Sequence, residues 1–190
     1  MKLTGLNCKC ISNMPMLVDV IATTIDELDL YFWEHYNYYC DFLSEKIGIN
    51  KKAGFDLKKK NKGTTVFSTK KIYGEKKFHL SYDISLSQPK KKAPSSFNVL
   101  FGYIIDDTQN SIYFQLIFKD KNDCEELISK INKDNIPADF DYRSDGASAT
   151  DEGSVWVEFT PDENTSIEKI KKCSNIFKEQ ILIPYISKFE

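Results

Sequence analysis

Between Lys77 and Leu86 the chain alternates without a break. Phe78, Leu80, Tyr82, Ile84 and Leu86 are apolar or aromatic, and Lys77, His79, Ser81, Asp83 and Ser85 between them are polar. Successive side chains of a strand point to opposite faces, so this period of two predicts a strand with one dry and one wet face. It constrains the fold more than any other stretch, because such a strand needs a sheet beside it and a cover on one side. Thr64 to Ile72 reads as its hairpin partner around a Tyr73-Gly74-Glu75-Lys76 turn. Phe97 to Ile105, apolar at nearly every position, predicts a central strand. Asp106 to Asn110 is turn chemistry, and Ser111 to Lys119 is the returning strand. Ser154 to Thr160 predicts another strand, with Val155, Val157 and Phe159 on one face, and Ala138 to Tyr142 a short one.

Helical spacing fills the remainder. Thr24 and Glu27 read as a capping box, after which Ile25, Leu28, Phe32, Tyr36, Tyr39, Leu43 and Ile47 follow at steps of three and four towards Gly48. Asp120 is placed to cap a short helix carrying Leu127, Ile128 and Ile131. Thr165-Ser166-Ile167-Glu168 reads as a second capping box, opening a helix expected to stop near Ile183, before Pro184. The expected order is α-β-β-β-β-α-β-β-α. It predicts an α+β fold with a mostly antiparallel sheet of about six strands and three helices. Residues 1–23 read as an extended or partly ordered lead-in, and 24–190 as a single α+β domain. A chain of 190 residues can bury a core without disulfides or metal. No apolar run approaches the roughly 18 residues of a membrane span. Met14 to Ala22 contains Asp19 and lacks a strong basic flank. The sequence therefore reads as cytoplasmic, with no membrane partner.

Enzyme signatures are sparse. The five cysteines, Cys8, Cys10, Cys40, Cys124 and Cys173, are odd in number and irregular in spacing, which argues against a disulfide framework. With His35 and His79 as the two histidines, a four-ligand zinc site around Cys8 and Cys10 is short of partners. Neither histidine sits in a nucleophile signature, and no phosphate-cradling glycine loop is present. No catalytic residue, metal ligand or cofactor is expected on these grounds. A divergent metal-dependent hydrolase, drawing acids from the Asp106, Asp145 and Glu158 regions, is the most distant alternative.

Charge and aromatic placement carry the functional reading. Residues 1–50 hold three lysines and seven acids, a net charge of −4. Residues 51–92 hold 13 lysines and three acids, net +10, and residues 93–190 are net −8. Arg143 is the single arginine among 26 basic residues, so bidentate phosphate and base recognition has almost no carrier. In the helix from Tyr31 to Cys40, Tyr31, Trp33 and Tyr38 fall on the flanks of the apolar stripe at about 100° per residue. Surplus aromatics of this kind suit a binding surface. The sequence thus points to a non-enzymatic binding protein of bacterial or phage origin. It would occlude or tether a protein or nucleoprotein partner through Tyr31, Trp33 and Tyr38, as an immunity protein or an inhibitor of a host or phage system does. The alternative is a nucleic-acid-binding accessory domain using the lysine-rich 51–92 region. There Lys58, Lys59, Lys60, Lys70, Lys71, Lys76 and Lys77 would neutralise phosphates, and Tyr73 would stack on a base.

Overall fold

The alternating segment forms the strand Lys77–Ser87, and its apolar positions Leu80, Tyr82, Ile84 and Leu86 are buried on one face. The structure is a computed structural model that describes residues 16–48, 56–59, 66–68, 77–87, 96–105, 109–145, 152–162 and 165–189. The sheet comprises β1 (Asp56–Lys59), β2 (Val66–Ser68), β3 (Lys77–Ser87), β4 (Phe97–Ile105), β5 (Asn110–Phe118), β6 (Asp141–Asp145) and β7 (Gly153–Phe159). The spatial order is β1-β3-β4-β5-β7-β6, with β2 also on β3, and every pairing is antiparallel. β4 lines one edge of β3, while β1 and β2 follow one another along the other, opposite Ile84–Ser87 and Lys77–His79.

The expected α+β architecture with an antiparallel sheet is present. Five strands, β3 to β7, form its continuous ladder, and two short ones are added at the β3 edge. The expected six strands and their order are corrected accordingly. Five strands, not four, precede the second helix, because Asp56–Lys59 pairs with β3. Its sequence, DLKK, has no alternation to announce a strand; the exposed edge of β3 makes it one. The expected strand over Ala138–Tyr142 is displaced to Asp141–Asp145, which moves Arg143 from a loop onto the sheet. The Tyr73–Lys76 turn and Asp106 to Thr108 lie outside the described residues.

Helix α1 (Met16–Leu43), extended by a π turn over Ser44–Gly48, lies on the dry face. It starts well before the expected cap at Thr24, inside the anticipated lead-in. The helical spacing continues upstream through Ile21 and Val18, and an N-cap motif starts a helix only where the chain before it is not already helical. Phe32 sits 5.9 Å from Phe101 and 6.4 Å from both Tyr82 and Phe114, between ring centres. Helix α2 (Lys121–Lys130) begins at Asp120, whose carboxylate accepts from the Asn122 backbone N–H at 2.9 Å. Gly153 allows its close approach: a Cβ there would stand 2.6 Å from Cys124 Cβ. Among the described residues, no helix is long and apolar enough to cross a membrane.

Helix α3 (Ile167–Phe177) is capped by Ser166, one residue later than expected, and Thr165 instead donates to the Asp162 carboxylate. It does not stop before Pro184. A π turn over Lys178–Leu182 widens it, and α4 (Ile183–Ile186) continues with Pro184 in its first turn, where a missing N–H is tolerated. The continuation brings Tyr185 edge-on to Phe97 and Phe118, at 5.0 and 4.8 Å. The buried Tyr39 hydroxyl, 2.7 Å from Ser174 Oγ and donating to its carbonyl at 3.1 Å, ties α1 to α3. Removing that hydroxyl strands a buried partner. Tyr39→Phe is therefore expected to lower stability by about 1–2 kcal/mol, read as a shifted urea midpoint with an unchanged slope.

Candidate functional site

Two surfaces stand out, one on α1 and one on the wet side of the sheet. On α1 the side chains facing away from the core include Leu30, Trp33 and Tyr38, which are 61%, 40% and 46% exposed. Trp33 stacks on Tyr36 with centroids 5.5 Å apart, and Tyr38 stacks on Phe42 at 6.1 Å. Lys178 Nζ donates to the Tyr38 hydroxyl at 3.3 Å. Both rings are thus held in place while remaining open to solvent. Helical geometry sets them about 140° apart around the axis. Between these shoulders lie Leu30 and four exposed acids, Glu27, Glu34, Asp41 and Glu45.

Tyr31 does not join them. It is 6% exposed, and its hydroxyl lies 3.1 Å from His35 Nε2. His35 Nδ1 donates to the Tyr31 carbonyl at 3.3 Å, which leaves Nε2 to accept from the phenol in the neutral imidazole. Burial holds the His35 imidazole below its ordinary value of 6.5, against the opposing pull of the Tyr31 carbonyl. Burial raises the Tyr31 phenol, with Glu168 and Glu34 adding to it. The expected trio is therefore divided into an interior Tyr31 and two surface aromatics.

The second surface follows from strand pairing. Glu158 on β7 stands opposite Tyr113 on β5 and Asp141 on β6, and Trp156 stands opposite Gln115 and Arg143. Glu158 is 5% exposed. Ser111 Oγ donates to its Oε2 at 2.7 Å, and Arg143 Nε to its Oε1 at 2.8 Å. A buried carboxylate is tolerated only with such donors. A cleft of about 390 Å3 opens here, walled by Glu158, Asp141, Arg143 and Trp156 together with Gln109, Asn110, Ser111 and Thr160. Nearby, His79 Nε2 lies 2.8 Å from the Tyr113 hydroxyl. Tyr113's partner on β4 is Gly102, where a Cβ would run into the Leu80 and Ser81 backbone of β3. Burial pushes the Tyr113 phenol far above its ordinary range.

Of the acids of the hydrolase alternative, Asp145 pairs with Ser154, four residues along β6 from Asp141, the partner of Glu158 on β7, and Asp106 lies outside the described residues. Among the described residues, no three of His, Cys, Asp and Glu are grouped to hold a metal. The buried Cys124 thiol is pushed up to about 11, chiefly by burial, and burial likewise raises Cys173. These are not activated nucleophiles. Lys58 and Lys59 lie in β1, and Lys77 opens β3 opposite Ser68. Lys60, Lys70, Lys71, Tyr73 and Lys76, like Cys8 and Cys10, lie outside the described residues. The sequence offered two signals for the cleft: the single arginine, and a carboxylate set between Val157 and Phe159. Their meeting required the register of β6 on β7.

No family model matches the chain, and neither a curated protein nor a solved structure matches it.

The His35 environment gives a pH signature. With the folded pKa below that of the unfolded chain, the unfolded state takes up the extra proton first. Stability therefore falls as pH is lowered from about 6.5 towards the folded value. Urea midpoints at neutral and mildly acidic pH should differ more in the wild type than in His35→Gln.

Proposed function

We propose that the protein is a non-enzymatic binding protein that occludes or tethers a macromolecular partner through the outer face of α1, in the manner of an immunity protein or an inhibitor. One observation carries this reading. The large hydrophobic side chains exposed among the described residues, Leu30, Trp33 and Tyr38, all lie on one helix. Scattered apolar residues on a surface are ordinary, but stacked aromatics grouped on one element resemble the anchors of an interface. Aromatic rings already held by Tyr36 and Phe42 lose little freedom on binding. The acids between them favour a basic protein surface and speed its approach.

Trp33→Ala and Tyr38→Ala remove surface rings and are expected to leave folding largely intact. Partner retention on the immobilised protein should weaken roughly tenfold or more for each. Retention at wild-type strength by the double variant would sink this reading.

A second reading, a nucleic-acid interface along the β1–β3 edge, is favoured by Lys58 and Lys59 in β1 and Lys77 in β3. It requires binding to labelled DNA or RNA that falls steeply across a salt series. No binding at low salt would remove it.

A further inference from the structure

The cleft at the β5–β7–β6 side of the sheet is separate from the α1 surface. α1 packs over Tyr82, Phe101 and Phe114, whereas Trp156 and Glu158 belong to the opposite face. We propose that this cleft is a binding site for an organic cation carrying N–H donors, an ammonium or guanidinium group.

Charge is the first reason. Asp141 and Glu158 bring two carboxylates against the single guanidinium of Arg143, leaving the cleft one negative charge in excess. Arg143 is 59% exposed and meets Glu158 through Nε, so most of that side chain stays in water while Glu158 remains buried. An anionic ligand inside the cleft would face two carboxylates against one guanidinium.

The wall chemistry is the second reason. The amide oxygen of Asn110, on the cleft wall, is shielded from solvent and accepts no hydrogen bond. A buried acceptor without a donor is an unfavourable arrangement, and a ligand N–H would relieve it once the Asn110 amide turns its oxygen to the cleft. The Asp141 carboxylate and the Thr160 hydroxyl are further acceptors on the same wall. The wall mixes donors and acceptors, and a donor-bearing cation would complement the Asp141 and Thr160 oxygens.

Trp156 is the third reason. The half-buried indole lines the cleft between the Arg143 and Gln115 positions, and an indole face is the best aromatic surface for an organic cation. A divalent metal ion fits less well, because it would want a near-complete shell of oxygens where the cleft supplies a guanidinium and an indole. The volume of about 390 Å3 suits a small ligand or the end of a longer one.

The test uses Trp156 as reporter. The chain has two tryptophans, so the full-length Trp33→Phe variant leaves Trp156 alone to fluoresce. It is titrated with butylguanidinium, butylamine, butanol and butyrate at constant ionic strength. Saturable changes with one or both cations, absent with butanol and butyrate, are expected. Adding Asp141→Asn, an exposed position, should weaken the cation response roughly tenfold. A stronger response to butylguanidinium assigns a planar donor, and a stronger response to butylamine assigns an ammonium. The proposal is overturned if neither cation gives a saturable change up to tens of millimolar, if butanol does as well, or if Asp141→Asn binds unchanged while retaining the parent's unfolding midpoint. Should Asp141→Asn lower that midpoint, Thr160→Val takes its place, with the same two outcomes.

Discussion

The structure rests on three rings stacked across three strands. Tyr82, Phe101 and Phe114 face one another in register on β3, β4 and β5, with centroids 5.8 and 5.5 Å apart and planes within 12° and 17°. Cross-strand aromatic neighbours fix register, because a slip of one residue would send every ring to the wrong face. The same row is the platform for α1. Phe32 meets all three rings, and Tyr39 meets Phe101 and Phe114 before reaching Ser174 on α3. Removing this platform would separate the first helix from the sheet and the last helix from the first.

Both candidate surfaces are consequences of that platform. α1 turns one stripe to the rings, and this leaves Leu30, Trp33, Tyr38 and four acids facing outward. The sheet presents its other face away from the helix, and there the pairing of β6 with β7 brings Arg143, Asp141, Trp156 and Glu158 together. The first surface sets two aromatic shoulders on either side of a row of acids. The second is a small polar cleft with a buried carboxylate and suits a compact ligand. The two surfaces lie on opposite sides of the sheet, so molecules held on each would not collide.

Local patterns were legible wherever the physics is local. The alternation of β3, the Val155-Val157-Phe159 face of β7 and the cap at Asp120 each depend on neighbours a few residues away. Boundaries set by long-range packing were not legible. The Thr24 cap motif lies within a helix that starts at Met16, and Pro184 is carried through because a π turn precedes it. Tyr31 illustrates the same limit at the candidate site. Its position on the flank of the stripe left it open to either side, and the partnership with His35 accompanies its burial.

By itself the sequence determined an α+β chain with a wet-faced antiparallel sheet, an aromatic helix, a segregated charge pattern and few conventional catalytic signatures. Tertiary structure alone decided that a lysine-bearing segment becomes an edge strand, that Trp33 and Tyr38 stay exposed while Tyr31 does not, and that the single arginine lies on a buried glutamate. The physical reason is that period and capping are written in residues close along the chain. Which side chains meet across strands depends instead on register, and register is set by the packing of the whole sheet against its helices.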